Sequence, residues 1–369
     1  MKHKLYIPYI PPKSIEYAKD ALDSGWISWI GDYTEKASNL LAKHSDSKHA
    51  ILVNNGTSAT HLTTITLKHF FPEIKNIIVP SACYVAAYNS IIYENKWKGI
   101  CADLNEHTWN FQINDVPKDT AIMVVHNLGN IINVPKLKEK YDCPIIEDNC
   151  EGFFGSYNGF ASGSKSICSS LSFFGNKNIT TGEGGAFITS DDSIFEFITK
   201  TKGQGQSDQR YIHDVLGYNY RMTNIQAALL LGQLEELDYI KEKKQKLFDR
   251  YKNNLKDRSM VSIQKTEKGC THSNWMFAVR FHGLKNYKEA EIFFSKYGIE
   301  TRPMFYSYNN HTHVKFKGPT TVSDKIQKEV VLLPSHIHLT NADIDYISEQ
   351  VINLSGMLFQ RIAEEYDFL

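Results

Sequence analysis

The sequence predicts an α/β protein, with a large unit built on a mostly parallel sheet covered by helices on both faces and a smaller α+β unit behind it. Three observations carry this. Short, continuous apolar runs alternate with helix-like stretches between residues 50 and 189, the pattern of strands buried on both faces. Polar and ionisable residues stand directly after several of those runs, where open α/β sheets gather their chemistry. Beyond residue 254 the alternation gives way to one strand-like run and two amphipathic segments. The division is placed between 1–245, the large unit, and 246–369, the small one, with the N-terminal segment able to pack on the latter.

A first helix is expected from Ser14 to near Gly25: Ile15, Ala18 and Leu22 share a face, Ser14 can cap and Gly25 can stop it. Ala50 to Val53 reads as a buried strand, followed by a glycine turn and a helix from Ser58 to Phe70. Asn76 to Pro80 is a second strand, with helix-like sequence from Tyr84 to Tyr93. Apolar runs at 99–101, 121–125 and 144–146 follow, with a helical stretch at 134–140 between the last two. Later strands are expected at Leu171–Phe174 and Ala186–Thr189. One long helix is expected from Asn224 to about Asn254, with Ala227, Leu230 and Leu234 on one face. In the small unit, Trp275 to Val279 is strand-like, and 286–297 and 341–355 are amphipathic.

Composition narrows the function. The 369 residues carry 41 Lys plus Arg against 41 Asp plus Glu, so the basic excess of a nucleic-acid or anionic-membrane binder is missing. Zero net charge removes a barrier to self-association. No pair among the six cysteines has C-x-x-C spacing, so neither a zinc site nor a redox dithiol is indicated and no metal is expected. The N-terminus meets Pro8, Pro11 and Pro12 before any apolar run, unlike a signal peptide. No apolar stretch reaches the ~18 residues of a membrane span. A reducing, cytoplasmic setting is expected.

Four segments carry candidate chemistry. Asn54-Asn55-Gly56-Thr57-Ser58-Ala59 follows a strand and opens a helix; free N–H groups and two hydroxyls there can seat a phosphate, and the same residues also suit an ordinary capped turn. Ile145-Ile146-Glu147-Asp148-Asn149-Cys150-Glu151 sets two acids at the end of an apolar strand. A carboxylate there can hold a cationic ring nitrogen, or simply cap the junction. Ser172-Phe173-Phe174-Gly175-Asn176-Lys177, ahead of Gly182-Glu183-Gly184-Gly185, offers a lysine after a strand. Desolvation there favours the neutral amine that forms a Schiff base, although most lysines in loops are surface groups. Gly217 to Asn224 crowds polar and aromatic residues ahead of a helix that Thr223 can cap.

Taken together and in order, the four segments resemble the DegT/StrS family of sugar aminotransferases, pyridoxal-phosphate enzymes of fold type I. The matching strings are N-G-T-x-A, the E-D pair, S-F-x-x-x-K-x-x-x-x-G-E-G-G and N-Y-R-M-T. The resemblance runs from about Tyr6 to the end and thins after Asn254. Gly25 to Gly31, Phe174 to Lys177, Gly203-Gln204-Gly205 and Tyr218 to Thr223 look closer to the enzymes that make nucleotide-linked 4-amino-4,6-dideoxy sugars such as perosamine, with the viosamine-forming enzymes as near relatives.

The resemblance implies a three-layer large domain with a mixed, mainly parallel sheet, and pyridoxal 5'-phosphate as cofactor with pyridoxamine phosphate as its aminated form. Lys177 would hold the cofactor and move the proton; Asp148 would pair with its ring nitrogen. Gly56, Thr57, Ser58 and Ser172 would take the phosphate, Tyr84 would stack on the ring and Glu151 would lie near the ring hydroxyl. Asn219 would reach the phosphate from a second subunit, so a homodimer with shared sites is implied. Trp29, His126, Arg302 and Tyr306 are implied near the substrate. L-glutamate would donate the amine to the C4 ketone of a nucleotide-linked 4-keto-6-deoxyhexose. The chain departs from the family at Asn149-Cys150-Glu151 and at His126-Asn127-Leu128-Gly129-Asn130, changes expected to line the cofactor pocket or its edge. Alternatives are a sugar dehydratase of the same fold, against which Lys177 stands because those enzymes carry His there, and a non-catalytic cofactor-binding regulator. A dinucleotide oxidoreductase lacks support because the G-x-G-x-x-G fingerprint is missing.

Overall fold

In the computed structural model, which describes residues 1–367, the apolar runs form one seven-stranded sheet. After two helices, α1 (Pro12–Asp23) and α2 (Asp32–His44), come β1 (His49–Val53), α3 (Gly56–Phe70), β2 (Asn76–Pro80), α4 (Val85–Tyr93), β3 (Lys98–Ala102), β4 (Thr120–Val125), α5 (Val134–Lys140) and β5 (Ile145–Asp148). The short strands β6 (Ser156–Tyr157) and β7 (Phe160–Ala161) precede β8 (Ser169–Ser172), β9 (Gly185–Thr189) and α6 (Asp192–Lys202). The strand order is β1-β9-β8-β5-β4-β2-β3. Only β9 runs against the other strands, antiparallel to β1 and β8, and the pairs from β8 across to β3 are parallel. β1, opposed to β9 as β8 is, therefore runs with the majority, and six carboxyl ends share one edge.

Alternate side chains along each strand feed two cores. Ala121, Met123 and Val125 pack with Leu62 of α3, Tyr88 of α4 and Ile198 of α6. Ile122 and Val124 of the same strand pack on the other face with Val134 of α5. Further along that face, Leu52, Leu171 and Ile188 meet α2 and the later helix α7 (Asn224–Glu235). Full burial of β4 on both faces explains why it reads as an unbroken apolar run.

The helix α8 (Leu237–Asn254) leads into the small unit, and the 245/246 division falls inside it. There β10 (Val261–Ile263), β12 (Ala278–Phe281), β14 (Val330–Leu332) and β13 (Arg302–Pro303) form an antiparallel sheet in that order. Leu247 and Phe248 of α8, Phe294 of α9 (Tyr287–Lys296) and Ile347 and Val351 of α11 (Asn341–Asp367) cover it. β11 (Cys270–Thr271) instead pairs with β6 of the large unit. The N-terminal residues lie against the small unit: Glu300 N–H donates to the His3 carbonyl at 2.9 Å, and Ser335 N–H to the Leu5 carbonyl at 3.0 Å.

Several sequence expectations need correction. α1 starts at Pro12, with Pro supplying the first-turn position; Ser14 caps nothing, and its hydroxyl donates across to the Leu229 carbonyl at 2.8 Å. The expected single helix from 224 to 254 breaks at Glu236, whose carboxylate accepts from Tyr9 Oη at 2.8 Å. The strand expected at 171–174 ends at Ser172. The strand expected at 275–279 begins only at Ala278: Phe277 N–H donates to the Ser335 hydroxyl at 2.8 Å, and Trp275 lines a cavity. α2 has no counterpart in the sequence reading: its buried apolar residues are only Ala37, Leu41 and Ala42, too few for a strong stripe. Among the described residues, no helix is long and apolar enough to cross a membrane.

One carboxylate ties the two units. Asp103, just past β3, accepts from the backbone N–H groups of Leu104 at 2.8 Å, Val322 at 2.8 Å and Ser323 at 3.0 Å. The last two open α10 (Thr321–Glu329), whose start is capped from the large unit. Burial acts to raise this carboxyl, but the three N–H donors outweigh it and hold it below the usual range. Asp103→Ala should therefore cost about 1–3 kcal/mol, read as a lower urea midpoint at unchanged slope.

Candidate active site

The strand ends enclose a cavity of about 340 Å³. On one side the turn after β1 opens α3. Asn55 caps it, its side-chain oxygen accepting from Ser58 N–H at 2.8 Å, which leaves Gly56 and Thr57 on the cavity wall. A Cβ at Gly56 would stand 2.7 Å from Ser172 Cβ and 3.3 Å from Cys150 Sγ, so only glycine lets the helix start approach β8 this closely. Ser172, the last residue of β8, also lines the cavity. Ser58 does not line it, since its N–H is committed to the cap and its side chain is buried.

At the end of β5 the period of two separates the acid pair. Asp148 is 5% exposed and lines the cavity, accepting from Cys150 N–H at 3.1 Å. Glu147 points into the opposite layer, completely buried. There it meets His126 Nε2 at 2.8 Å and accepts from Tyr157 Oη at 3.1 Å and Gly163 N–H at 3.0 Å. His126 Nδ1 accepts from Ile132 N–H at 3.1 Å, so its Nε2–H donates to Glu147. This corrects the reading of His126 as a substrate residue: it is an internal strut at 0% exposure.

The loop after β8 carries Lys177. Its carbonyl accepts from Tyr6 Oη at 2.7 Å, and the neighbouring Asn176 carbonyl accepts from Trp275 Nε1 at 2.8 Å. The Lys177 amine lies 3.9 Å from the Trp275 ring centroid and 4.0 Å from Glu151 Oε1. Glu151 is pushed up to about 7: burial is the main cause, with Asp148 adding to it and Lys177 and the Leu128 N–H opposing. That N–H donates at 2.7 Å from a residue with φ +58, a left-handed conformation that leucine rarely adopts.

The segment 126–130 was expected at the pocket edge, but Val125 is the lining residue and the segment packs behind it. Asn127 donates to the carbonyls of Ala82 and Trp109 at 2.9 and 3.1 Å. The departures at Cys150 and Glu151 do face the cavity. Tyr84, 55% exposed, flanks it with Phe305, their ring centroids 6.0 Å apart. Trp275, Asn176, Phe305 and Glu183 also contribute to the wall; Asn176 and Glu183 stand inside the quoted lysine segment, but none of the four was given a role from the sequence. Trp275 carried a signal, an aromatic residue opening a strand-like run, but spacing alone could not say that it would leave the strand.

A second cavity of about 530 Å³ adjoins the first, sharing Tyr84, Asn176, Trp275 and Phe305, and contains Arg302 and Tyr306. Arg302 pairs with Glu300 Oε1. Trp29 lines neither cavity; it is 46% exposed, with the Arg221 guanidinium 5.1 Å from its ring. Asn219 is also outside the cavity of its own chain, its side-chain oxygen accepting from Arg221 at 3.1 Å.

A flat heterocycle with a phosphate arm suits these walls. Among the described residues, the side-chain oxygen of Asn176 is buried without a partner and the Lys177 amine makes no hydrogen bond; the glycine-led helix start offers N–H groups to an anion.

Residues 8–352 match the DegT/DnrJ/EryC1/StrS aminotransferase family. The chain is 36% identical to GDP-perosamine synthase of Escherichia coli O157:H7, over 94% of this chain and 97% of that one. It is 33% identical to GDP-perosamine synthase of Caulobacter vibrioides, over 92% and 95%. Among solved structures, the E. coli GDP-4-keto-6-deoxy-D-mannose-3-dehydratase superposes with a TM-score of 0.88 at 22% identity, covering 94% of this chain and 98% of that one, a likeness of fold.

The raised Glu151 carboxyl has a signed consequence for the cofactor-free protein. Between about 4.5, its ordinary value, and about 7, the folded chain holds a proton that the unfolded chain has lost. Stability therefore falls as pH rises through that window, by up to roughly 3 kcal/mol. Glu151→Gln should flatten this slope, measured as urea midpoints from pH 4.5 to 8.

Proposed function

Because this chain belongs to the DegT/DnrJ/EryC1/StrS aminotransferase family, we propose that it moves an amino group from L-glutamate to the C4 ketone of a nucleotide-linked 4-keto-6-deoxyhexose. The product is a 4-amino-4,6-dideoxy sugar nucleotide of the perosamine or viosamine type. The cofactor is pyridoxal 5'-phosphate. The observation that carries the reading is the shared cavity of Lys177 and Asp148, with the open start of α3 on the same wall. The names of the two curated relatives favour GDP as the nucleotide and perosamine as the sugar.

Pyridoxal phosphate, when bound, supplies an electron sink for the charge left by a departing proton. The rest falls to the chain. Gly56 and Thr57 N–H groups with the Ser172 hydroxyl would hold the phosphate. Asp148, buried at the end of β5, keeps a ring nitrogen protonated. Tyr84 and Glu151 line the cavity, where Tyr84 would cover the ring face and Glu151 would lie near the ring hydroxyl. Lys177 Nζ, which makes no hydrogen bond among the described residues, takes up and returns the proton at the reacting carbon. Arg302 and Tyr306 line the adjoining cavity and would face the nucleotide-linked sugar there.

A homodimer with shared sites completes the reading. Trp26, Ile27, Trp29 and Ile30 form an exposed apolar stretch, held beside the Asn219–Arg221 segment because Asn224 Nδ2 donates to the Trp26 carbonyl at 2.8 Å. Exposed apolar patches of this kind mark interfaces, and a second copy covering it brings Asn219 toward the partner's phosphate. The setting is cytoplasmic, consistent with six free cysteines.

Incubation with glutamate and a panel of GDP-, UDP- and dTDP-linked 4-keto-6-deoxy sugars, read by mass spectrometry and NMR, should give an aminated sugar. Lys177→Ala should abolish turnover at saturating cofactor and remove the visible chromophore; turnover at the wild-type rate would end the assignment. Mixing inactive Lys177→Ala with an inactive Asn219→Asp variant should restore activity that neither parent shows, since one site of each mixed dimer then has both residues intact. No recovery after subunit exchange would exclude a shared site.

A further inference from the structure

We propose that Lys244 is a positioning residue for Lys177: its amine, clamped between two carbonyls, fixes the Trp275 ring against which the Lys177 amine rests. The inference deepens the reading of Lys177 as the reactive amine and rests on it.

Lys244 lies in α8, 1% exposed. Its Nζ donates to the carbonyls of Trp275, at 2.7 Å, and Ser335, and the Tyr6 and Phe248 rings stand 5.4 and 5.8 Å away. Among the described residues no carboxylate pairs with it, and burial lowers its pKa well below the ordinary lysine value. A buried, unpaired amine is an expensive way to fill a core. The neighbouring inward positions of α8 hold Leu247, Phe248 and Tyr251, so an apolar side chain would serve packing alone.

What Lys244 touches gives it a role. Trp275, held by its carbonyl, donates its ring N–H to Asn176 and offers its face to the Lys177 amine at 3.9 Å. Tyr6, against which Lys244 lies, donates to the Lys177 carbonyl. Ser335, held by its carbonyl, donates its N–H to Leu5 and accepts from Phe277 N–H through its hydroxyl at 2.8 Å. One amine thus joins the N-terminal segment, the small unit and the cavity wall, and both ends of Lys177 are set by groups in contact with it. Without its donors, two buried carbonyls lose their partners, the Trp275 backbone is released, and the Lys177 amine loses its aromatic support.

The test compares Lys244→Met, Trp275→Phe and the double variant. In the cofactor-free protein, labelling of Lys177 by trinitrobenzenesulfonate, read by peptide mass spectrometry, should change several-fold in each single variant. In the holoenzyme kcat should fall about tenfold while KM for glutamate and for the sugar nucleotide stays within about twofold. The double variant should be no worse than the poorer single one, because both act through one ring. Wild-type labelling and kcat in Lys244→Met, or strictly multiplicative losses in the double variant, overturn the proposal. Should Lys244→Met fail to fold, Lys244→Gln, which keeps a donor for one carbonyl, decides by the same readings. Lys177→Ala separates the two ideas. If its chromophore persists, the reading of Lys177 falls; if it is lost while Lys244→Met is wild-type, only the clamp falls.

Discussion

The common direction of six strands is the constraint from which the site follows. Reversing only β9 leaves the carboxyl ends of the others on one edge, where backbone leaves the sheet and side chains are released from packing. Gly56, Tyr84, Asp148 and Ser172 come from four different crossings of the sheet, far apart in sequence, yet line one cavity. No local motif could gather them. Parallel pairing does so because each strand must return to the same starting edge before running again.

Much of this was legible, and where it was not the reasons are physical. Strands buried on both faces, such as β4, announce themselves as unbroken apolar runs. The motif positions Gly56, Asp148 and Lys177 stand at or just after expected strand ends, and the structure gathers them with Ser172, where β8 stops two residues early, at one cavity. Tertiary choices were harder to see. Nothing local says that Trp275 leaves its strand, that Glu236 divides a long helix, or that α2 forms on three small buried contacts. His126 shows the same limit from the other side: its motif position suggests substrate contact, and only the fold reveals Glu147 waiting behind the sheet.

The acid pair at 147 and 148 shows how one strand serves both architecture and chemistry. Pleating sends Glu147 into a sealed network of His126, Tyr157 and Gly163, while Asp148 faces the cavity. A one-residue slip of β5 would exchange the two carboxylates. The inner acid, bonded on both oxygens, pins the register, and the outer acid inherits its aim from that anchorage.

The lone reversed strand has a consequence for how such a site can change. Because Ser172 pairs with Gly185 across β8 and β9, the stretch 173–184 departs and comes back at a single rim of the molecule, as a hairpin excursion. It has no crossover helix to drag with it. Lengthening, shortening or re-aiming this excursion alters the reach of the reactive amine while every other strand keeps its place, so evolution can retune the chemistry here without renegotiating the scaffold.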